Sequence, residues 1–192
     1  MSNSTSLSLL DTLARGAQNE AWNRFTAIYQ PLLESWLRSR GIPHDVVSDV
    51  QQEVLTKVLE EIGRFEHNGR PGAFRNWLRT IMSHRLRTIQ RQQWRGGPRP
   101  DWSDIADGLA DDDSDLSRQW QVEHDAYLLR RLIDLISHDF SPASIAAFKA
   151  VVLQGRPQAE VATELGLSLN AVRIAQSRVL AALRRVAEGL ID

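Results

Sequence analysis

The sequence predicts an all-α protein: two small helical lobes joined by an acidic flexible linker, the C-terminal lobe a helix-turn-helix. Three observations predict it. Apolar residues recur at spacings of three and four through three long segments of the first half, and nowhere with the alternation a strand requires. A run of aspartates with little periodicity separates the halves. The C-terminal part carries a short helix, a glycine turn and a second helix.

The first helix is expected from about Ala17 to Arg40, where Trp22, Phe25, Ile28, Tyr29, Leu32, Leu33, Trp36 and Leu37 mark one buried face. Pro31 lies inside it and Gly41 stops it. A second begins near Pro43, since proline suits a first turn. Its apolar stripe is Val46, Val47, Val50, Val54, Val58, Leu59 and Ile62, leaving Asp49, Gln52, Glu53, Glu60 and Glu61 on the other side. After a Gly/Pro loop at 66–72, a third helix covers about Ala73 to Gln93, with Phe74, Trp77, Leu78, Ile81, Met82, Leu86 and Ile89 toward the core. Residues 96–121 form the linker, although Trp102 and Trp120 give it two anchors with which to dock. Four shorter helices follow. The first spans about Val122–Ser137, and Ser141-Pro142 starts the second, which carries Ile145, Phe148, Val152 and Leu153. The third runs from Pro157 to Leu165, and the last follows Ser168 as N-cap and reaches about Ala187. The lobes are therefore 1–95 and 122–192.

Charge and composition narrow the function. The 192 residues are 42% apolar and 24% charged, an ordinary globular make-up. No cysteine is present, which excludes a disulfide scaffold, a thiolate zinc site and a cysteine nucleophile and fits a reducing cytoplasm. No apolar run is long enough to span a membrane. Met1 to Leu10 has no basic region and no cleavage signal, so secretion is not expected. The net charge of −1 conceals a segregation: Arg64 to Arg99 holds nine arginines and one acid, and Asp101 to Asp125 holds nine acids and one arginine. A basic helix followed by an acidic connector points to a polyanion-binding surface.

The strongest motif is Pro157-Gln-Ala-Glu-Val-Ala-Thr-Glu-Leu-Gly-Leu-Ser-Leu-Asn-Ala-Val-Arg173. Ala162 is small where two helices must cross closely, Gly166 permits the turn, Leu167 plugs the corner and Val172 packs back. A second helix so held can enter a major groove, where Ser168, Asn170, Arg173, Ile174 and Ser177 would meet bases or phosphates and Arg178, Arg184 and Arg185 would follow the backbone. Arginines interleaved with aromatics in the third helix suit single-stranded nucleic acid. Asp49, Gln52 and Glu53 could serve acid–base chemistry, a metal or a protein partner. The five histidines show no ligand spacing, and no catalytic constellation, cofactor motif or metal site emerges.

In their order and spacing these parts resemble the sigma-70 family, in its extracytoplasmic-function (group 4) type. Asp49-Val-Gln-Gln-Glu-Val-Leu55 and Phe74-Arg-Asn-Trp-Leu-Arg-Thr-Ile81, with the arginine-rich continuation, resemble sigma domain 2. The acidic connector and terminal lobe resemble the linker and domain 4, so the likeness extends from about Ala17 to Ala187. The resemblance implies a non-enzymatic, cytoplasmic promoter-specificity subunit without cofactor. Its partners would be core RNA polymerase, promoter DNA (duplex at −35, single-stranded at −10) and, as is common for such factors, an anti-sigma protein. It assigns Asp49, Gln52 and Glu53 to core-polymerase binding. It assigns Arg75, Arg79, His84, Arg85, Arg87 and Arg91 to the −10 element, and Ser168 to Arg185 to the −35 element. His84 and Thr88 stand where many members have asparagine and aspartate, and Ile174-Ala-Gln-Ser177 departs from the commoner basic stretch, with Gln176 at an often apolar position. A helix-turn-helix regulator with an N-terminal sensing or dimerisation lobe is the alternative; it leaves the arginine helix and the Asp49–Glu53 patch unexplained.

Overall fold

The computed structural model describes residues 9–14, 19–65, 72–93 and 102–187, which hold nine α-helices, short 3-10 turns and one π-turn, with no strand among them. They are α1 (Leu9–Ala14), α2 (Asn19–Ser39), α3 (His44–Glu61), α4 (Ala73–Gln93), α5 (Ser103–Ala110), α6 (Asp115–Ile136), α7 (Pro142–Phe148), α8 (Gln158–Glu164) and α9 (Leu169–Ala187). They form two compact units, one up to Leu128 and one from Leu129, so the division falls inside α6.

In the first unit α3 packs on both α2 and α4. The stripe of α2 buries Phe25, Tyr29, Leu33 and Leu37, that of α3 Val46, Val50, Val54 and Val58, and that of α4 Phe74, Leu78, Met82 and Leu86. Phe25 stacks on Tyr29 at 4.4 Å, and Phe74 meets both rings edge-on at 6.0 and 5.5 Å, the arrangement that aromatic quadrupoles favour. Buried Gln51 donates through Nε2 to the Gln30 carbonyl at 2.5 Å, tying α3 to α2. Pro31 is exposed and α2 continues through it. Helix α1 has no counterpart in the sequence-based expectation; it buries Leu10 and Leu13 and packs on α2 and on the turn Ile62–Arg64. Leu59, expected on the buried stripe of α3, is 54% exposed, and Trp77 is only half-buried.

The expected flexible linker is the main correction. From 102 onward the acidic stretch is folded: α5 packs along α4, and the first half of α6 belongs to the same unit. Trp102 and Trp120 are buried anchors, at 6% and 0% exposure. Trp120 meets Trp36 edge-on at 5.3 Å and donates from Nε1 to the Arg75 carbonyl at 3.1 Å. Arg40 lies over the Trp36 ring at 4.8 Å and bonds Glu123 at 2.9 Å, closing the end of α2 onto α6. The Ser83 hydroxyl donates to the Ala106 carbonyl at 2.7 Å. Aspartates alone would repel one another; here the arginines of α4 face them and the tryptophans supply apolar burial, so docking outweighs the chain entropy. Residues 96–101 lie outside the described residues.

The second unit buries Leu132, Ile133, Ile136, Phe148, Val179 and Leu183, and a cluster of smaller residues lies where α8 meets its neighbours. Ala147, Ala150, Val161, Ala162, Val172 and Ala175 form that cluster, with Val151, Leu165 and Leu167 packed against it. Ser141 caps α7, accepting from the Ser144 amide at 3.2 Å. A π-turn, Lys149–Leu153, follows α7, and Val152 and Leu153 are exposed at 40% and 43% rather than on an apolar side as expected. The α8–α9 turn uses Gly166 at φ +64°, a region open to glycine, and is closed by the Leu167 amide on the Ala162 carbonyl at 2.9 Å.

Two outcomes follow from the docking of the acidic segment. Arg79→Met should destabilise the first unit by about 1–3 kcal/mol, because the buried acceptors that Arg79 serves would lose their donor. Asp112→Asn should cost under about 1 kcal/mol, since that carboxylate is 84% exposed; equal losses in thermal melts would refute the distinction. The second outcome concerns pH. Burial alone would raise the Asp125 carboxyl, but hydrogen bonds from His124 and Arg75 outweigh it and hold the group below its ordinary 3.8. A depressed folded-state value gives stability above the unfolded value that is lost as pH falls through the folded one. Asp125→Asn should therefore narrow the drop in melting temperature between about pH 6 and about pH 3.

Candidate nucleic-acid interface

Helix α4 distributes its side chains over three faces. One, with Phe74, Leu78, Met82, Leu86 and Ile89, is buried, and Arg85 emerges beside it. The second carries Arg75, Arg79, Ser83 and Arg87 toward the acidic segment. Arg79 is 3% exposed; its Nη1 donates to the Leu109 carbonyl and to Ser117 Oγ (2.6 Å), and its Nη2 pairs with Asp112. Arg75 pairs with Asp125, and Arg87 donates through Nε and Nη2 to Asp107 at 3.1 and 2.9 Å. Three arginines expected to face DNA thus hold α5 and α6 in this structure. The third face carries Asn76, Trp77, Thr80, His84 and Arg91; Thr80, His84 and Arg91 are exposed.

At the start of that third face lies a cavity of about 420 Å3, lined by Arg64, Phe65, Ala73, Asn76, Trp77, Arg79, Thr80 and Asp112. Its volume is in the range of small-ligand sites, about 300–1,000 Å3. Phe65 and Trp77 present rings 5.0 Å apart, and Asn76 Oδ1 and Arg79 Nε are buried without a hydrogen-bond partner. The cavity therefore offers two aromatic faces among polar side chains, with those two atoms closed off behind its wall. Sequence reading missed Asn76 and Thr80 and assigned Trp77 to the core. The available signal was their spacing of three and four with His84 and Arg91. The loop at 66–71 lies outside the described residues.

On α3, Asp49 and Gln52 are exposed as expected, because Val46, Val50, Val54 and Val58 take the opposite face. Glu53 is half-buried and turned toward Arg85, Oε2 to Nη1 3.7 Å, so two residues expected at different surfaces face each other. Exposed Leu59 lies two turns beyond Gln52 on the same side and was not anticipated there.

In the second unit, Val172, Ala175, Val179, Ala182 and Leu183 bury one side of α9, leaving Asn170, Arg173, Ile174, Ser177, Arg178, Arg184 and Arg185 exposed together. Ser168 is used as a cap: its Oγ accepts from the Ala171 amide at 3.1 Å. Arg178 lies over the Phe140 ring at 5.9 Å. Among the described residues no group of histidines and carboxylates is arranged to hold a metal, and no helix is long and apolar enough to cross a membrane.

Comparison with known proteins gives this geometry its context. The sigma-70 region 2 family model matches residues 26–96, from within α2 through α4. The ECF RNA polymerase sigma factor ShbA of Streptomyces griseus subsp. griseus is 29% identical over 175 residues, 88% of each chain. The region 2 match across α2 to α4 and the likeness to an extracytoplasmic-function sigma factor over 88% of the chain together support a place in the sigma-70 family.

Proposed function

We propose that this sigma factor joins core RNA polymerase through the Asp49–Gln52 side of α3 and directs initiation through two separate DNA contacts. The third face of α4 takes the −10 strand once it is unpaired, and the exposed face of α9 takes the −35 duplex. The observation that carries the reading is the aromatic cavity at the first turns of α4, on the face that continues to exposed His84 and Arg91: an unstacked base finds two ring faces there. Glu53 acts with Asp49 and Gln52, and its pairing with Arg85 places the core-binding and strand-binding helices in electrostatic contact. On α4, Arg85, Arg87 and Arg91 supply charge to the strand, and Arg75 and Arg79 act indirectly by holding the acidic segment. On α9, Asn170, Arg173, Ile174 and Ser177 lie toward the bases and Arg178, Arg184 and Arg185 toward the phosphates. Ser168 opens that helix. The chain itself catalyses nothing; the polymerase makes the RNA. It works in the cytoplasm, where an anti-sigma protein is a further partner.

Transcription of sheared genomic DNA by purified bacterial core polymerase tests the reading. Adding the chain should create discrete start sites preceded by a shared pair of elements; start sites unchanged by the chain would overturn it. Asp49→Arg combined with Gln52→Ala should weaken core binding about tenfold or more without moving the melting temperature, a loss typical of a central interface pair. Glu53→Arg is a less clean probe, because it would also repel Arg85. Trp77→Ala and Arg91→Ala should slow open-complex formation on duplex promoters by roughly tenfold, as expected for one lost stacking platform. A template already unpaired at −10 should restore most of that rate, and absence of rescue would remove α4 from strand opening.

A further inference from the structure

One polar contact between α8 and α9 is not explained by packing. Gln158, the first residue of α8, is half-buried, as is Gln176 on α9, in a region whose other interhelical contacts are alanine, valine and leucine. Gln158 Nε2 donates to Gln176 Oε1 at 2.8 Å, and Gln158 Oε1 accepts from Arg173 Nε at 3.3 Å. Arginine only donates, so the oxygen of Gln158 must face Arg173 and its nitrogen must face Gln176; the amide has one orientation. Arg173 and Gln176 are three residues apart on α9 and share a face.

This wiring has a chemical consequence. With Nε engaged, Arg173 presents its two terminal nitrogens, the end of the fork that pairs with two acceptors at once. Gln176 is anchored through its oxygen, which keeps a second lone pair beside its amide N–H groups. Arg173 offers donors alone. In a major groove, guanine is the base that shows two acceptors, O6 and N7, side by side.

We propose that Gln158 is a positioning residue for −35 recognition: braced on Gln176, it fixes Arg173 so that the terminal nitrogens of the guanidinium select guanine at the base they face. The proposal rests on α9 being the duplex-reading helix and adds to it which residue sets its preference. Gln158 itself need not touch DNA. Its effect is to remove rotamer freedom from a long side chain before binding, so that less is lost on contact.

The test uses the full-length chain loaded on bacterial core RNA polymerase and a duplex library randomised across the −35 region with the rest of the promoter fixed. Wild type should enrich guanine at one position, and Arg173→Ala should abolish that enrichment. Gln158→Leu, of similar volume, should reduce the guanine preference about five- to tenfold, the discrimination one hydrogen bond supports. Affinity for sequences lacking the guanine, and the salt dependence, should stay unchanged. Gln158→Glu keeps an acceptor for Arg173 and loses the donor to Gln176. It should therefore restore the guanine preference. Gln158→Leu with wild-type guanine preference would overturn the proposal and leave α9 as the reader. Equal loss of binding to every sequence, with a lowered melting temperature and no rescue by Gln158→Glu, would also overturn it by showing a purely structural contact. Failure of the wild type to select any base, with Arg173→Ala indistinguishable from it, would refute the reading of α9 and the proposal together.

Discussion

A guanidinium keeps its charge at every pH a protein meets, so burying one obliges the chain to surround it with acceptors. Arg79 is buried to 3% exposure in α4, and its acceptors come from the acidic segment: the Leu109 carbonyl at the end of α5, Asp112 in the turn and Ser117 at the start of α6. Ser117 is itself fully buried and donates in turn to the Asp111 carbonyl at 2.6 Å. This network fixes where α5 ends and α6 begins. Trp120 then falls against Trp36 one turn later, and the second face of α4 is closed. The face left open, with Asn76, Trp77, Thr80, His84 and Arg91, follows from that closure.

The arginine–aspartate pairs along α4 are graded in strength by solvent. The Arg79 side chain is 4% exposed, whereas Arg87 and Asp107 are 35% and 60% exposed. An exposed pair contributes about 0–1 kcal/mol, so a phosphate meeting the C-terminal half of the helix can take Arg87 from Asp107 at small cost. It cannot take Arg79, whose departure would strand buried acceptors. Sequence gives all these residues the same letter. Burial divides them into those that hold the fold and those that are available to a ligand.

That division explains what was legible in the sequence. Helices with long apolar stripes were readable, including both ends of α4, because Gly72 at φ +81° sets its start and the stripe itself sets its face. The exposed sides of α3 and α9 were readable for the same reason: valines and alanines on one side leave Asp49, Gln52 and Arg173 on the other. The fate of the acidic stretch was not readable from periodicity, since its docking rests on long-range pairs such as Arg79 with Asp112 and Arg75 with Asp125. Only the two tryptophans signalled it. Glu53 and Leu59 were misjudged because a stripe read at fixed spacing ignores its edges. Arg85 draws Glu53 inward, and Leu59 lies past the last neighbour able to cover it. The cavity escaped because its walls come from the turn after α3 and the first turns of α4, which no single periodicity joins.

The second unit solves a different problem. Helix α9 commits one side to its own fold, Val172, Ala175, Val179, Ala182 and Leu183, and leaves most of its circumference open. Alanines at 147, 150, 162 and 175 let the helices approach closely but bury little area each. Helix α8 buries Val161 and Ala162 and no other residue, so apolar packing determines its orientation less than that of α9. A directional contact at the open edge of the α8–α9 pair then has more influence than its energy alone would suggest. The amide of Gln158 stands at that edge, bonded to two residues of α9 that share one flank of the buried Val172–Ala175 seam. Position, not strength, gives this contact its weight: about 1 kcal/mol of hydrogen bonding is minor for a core, and decisive for where a guanidinium points.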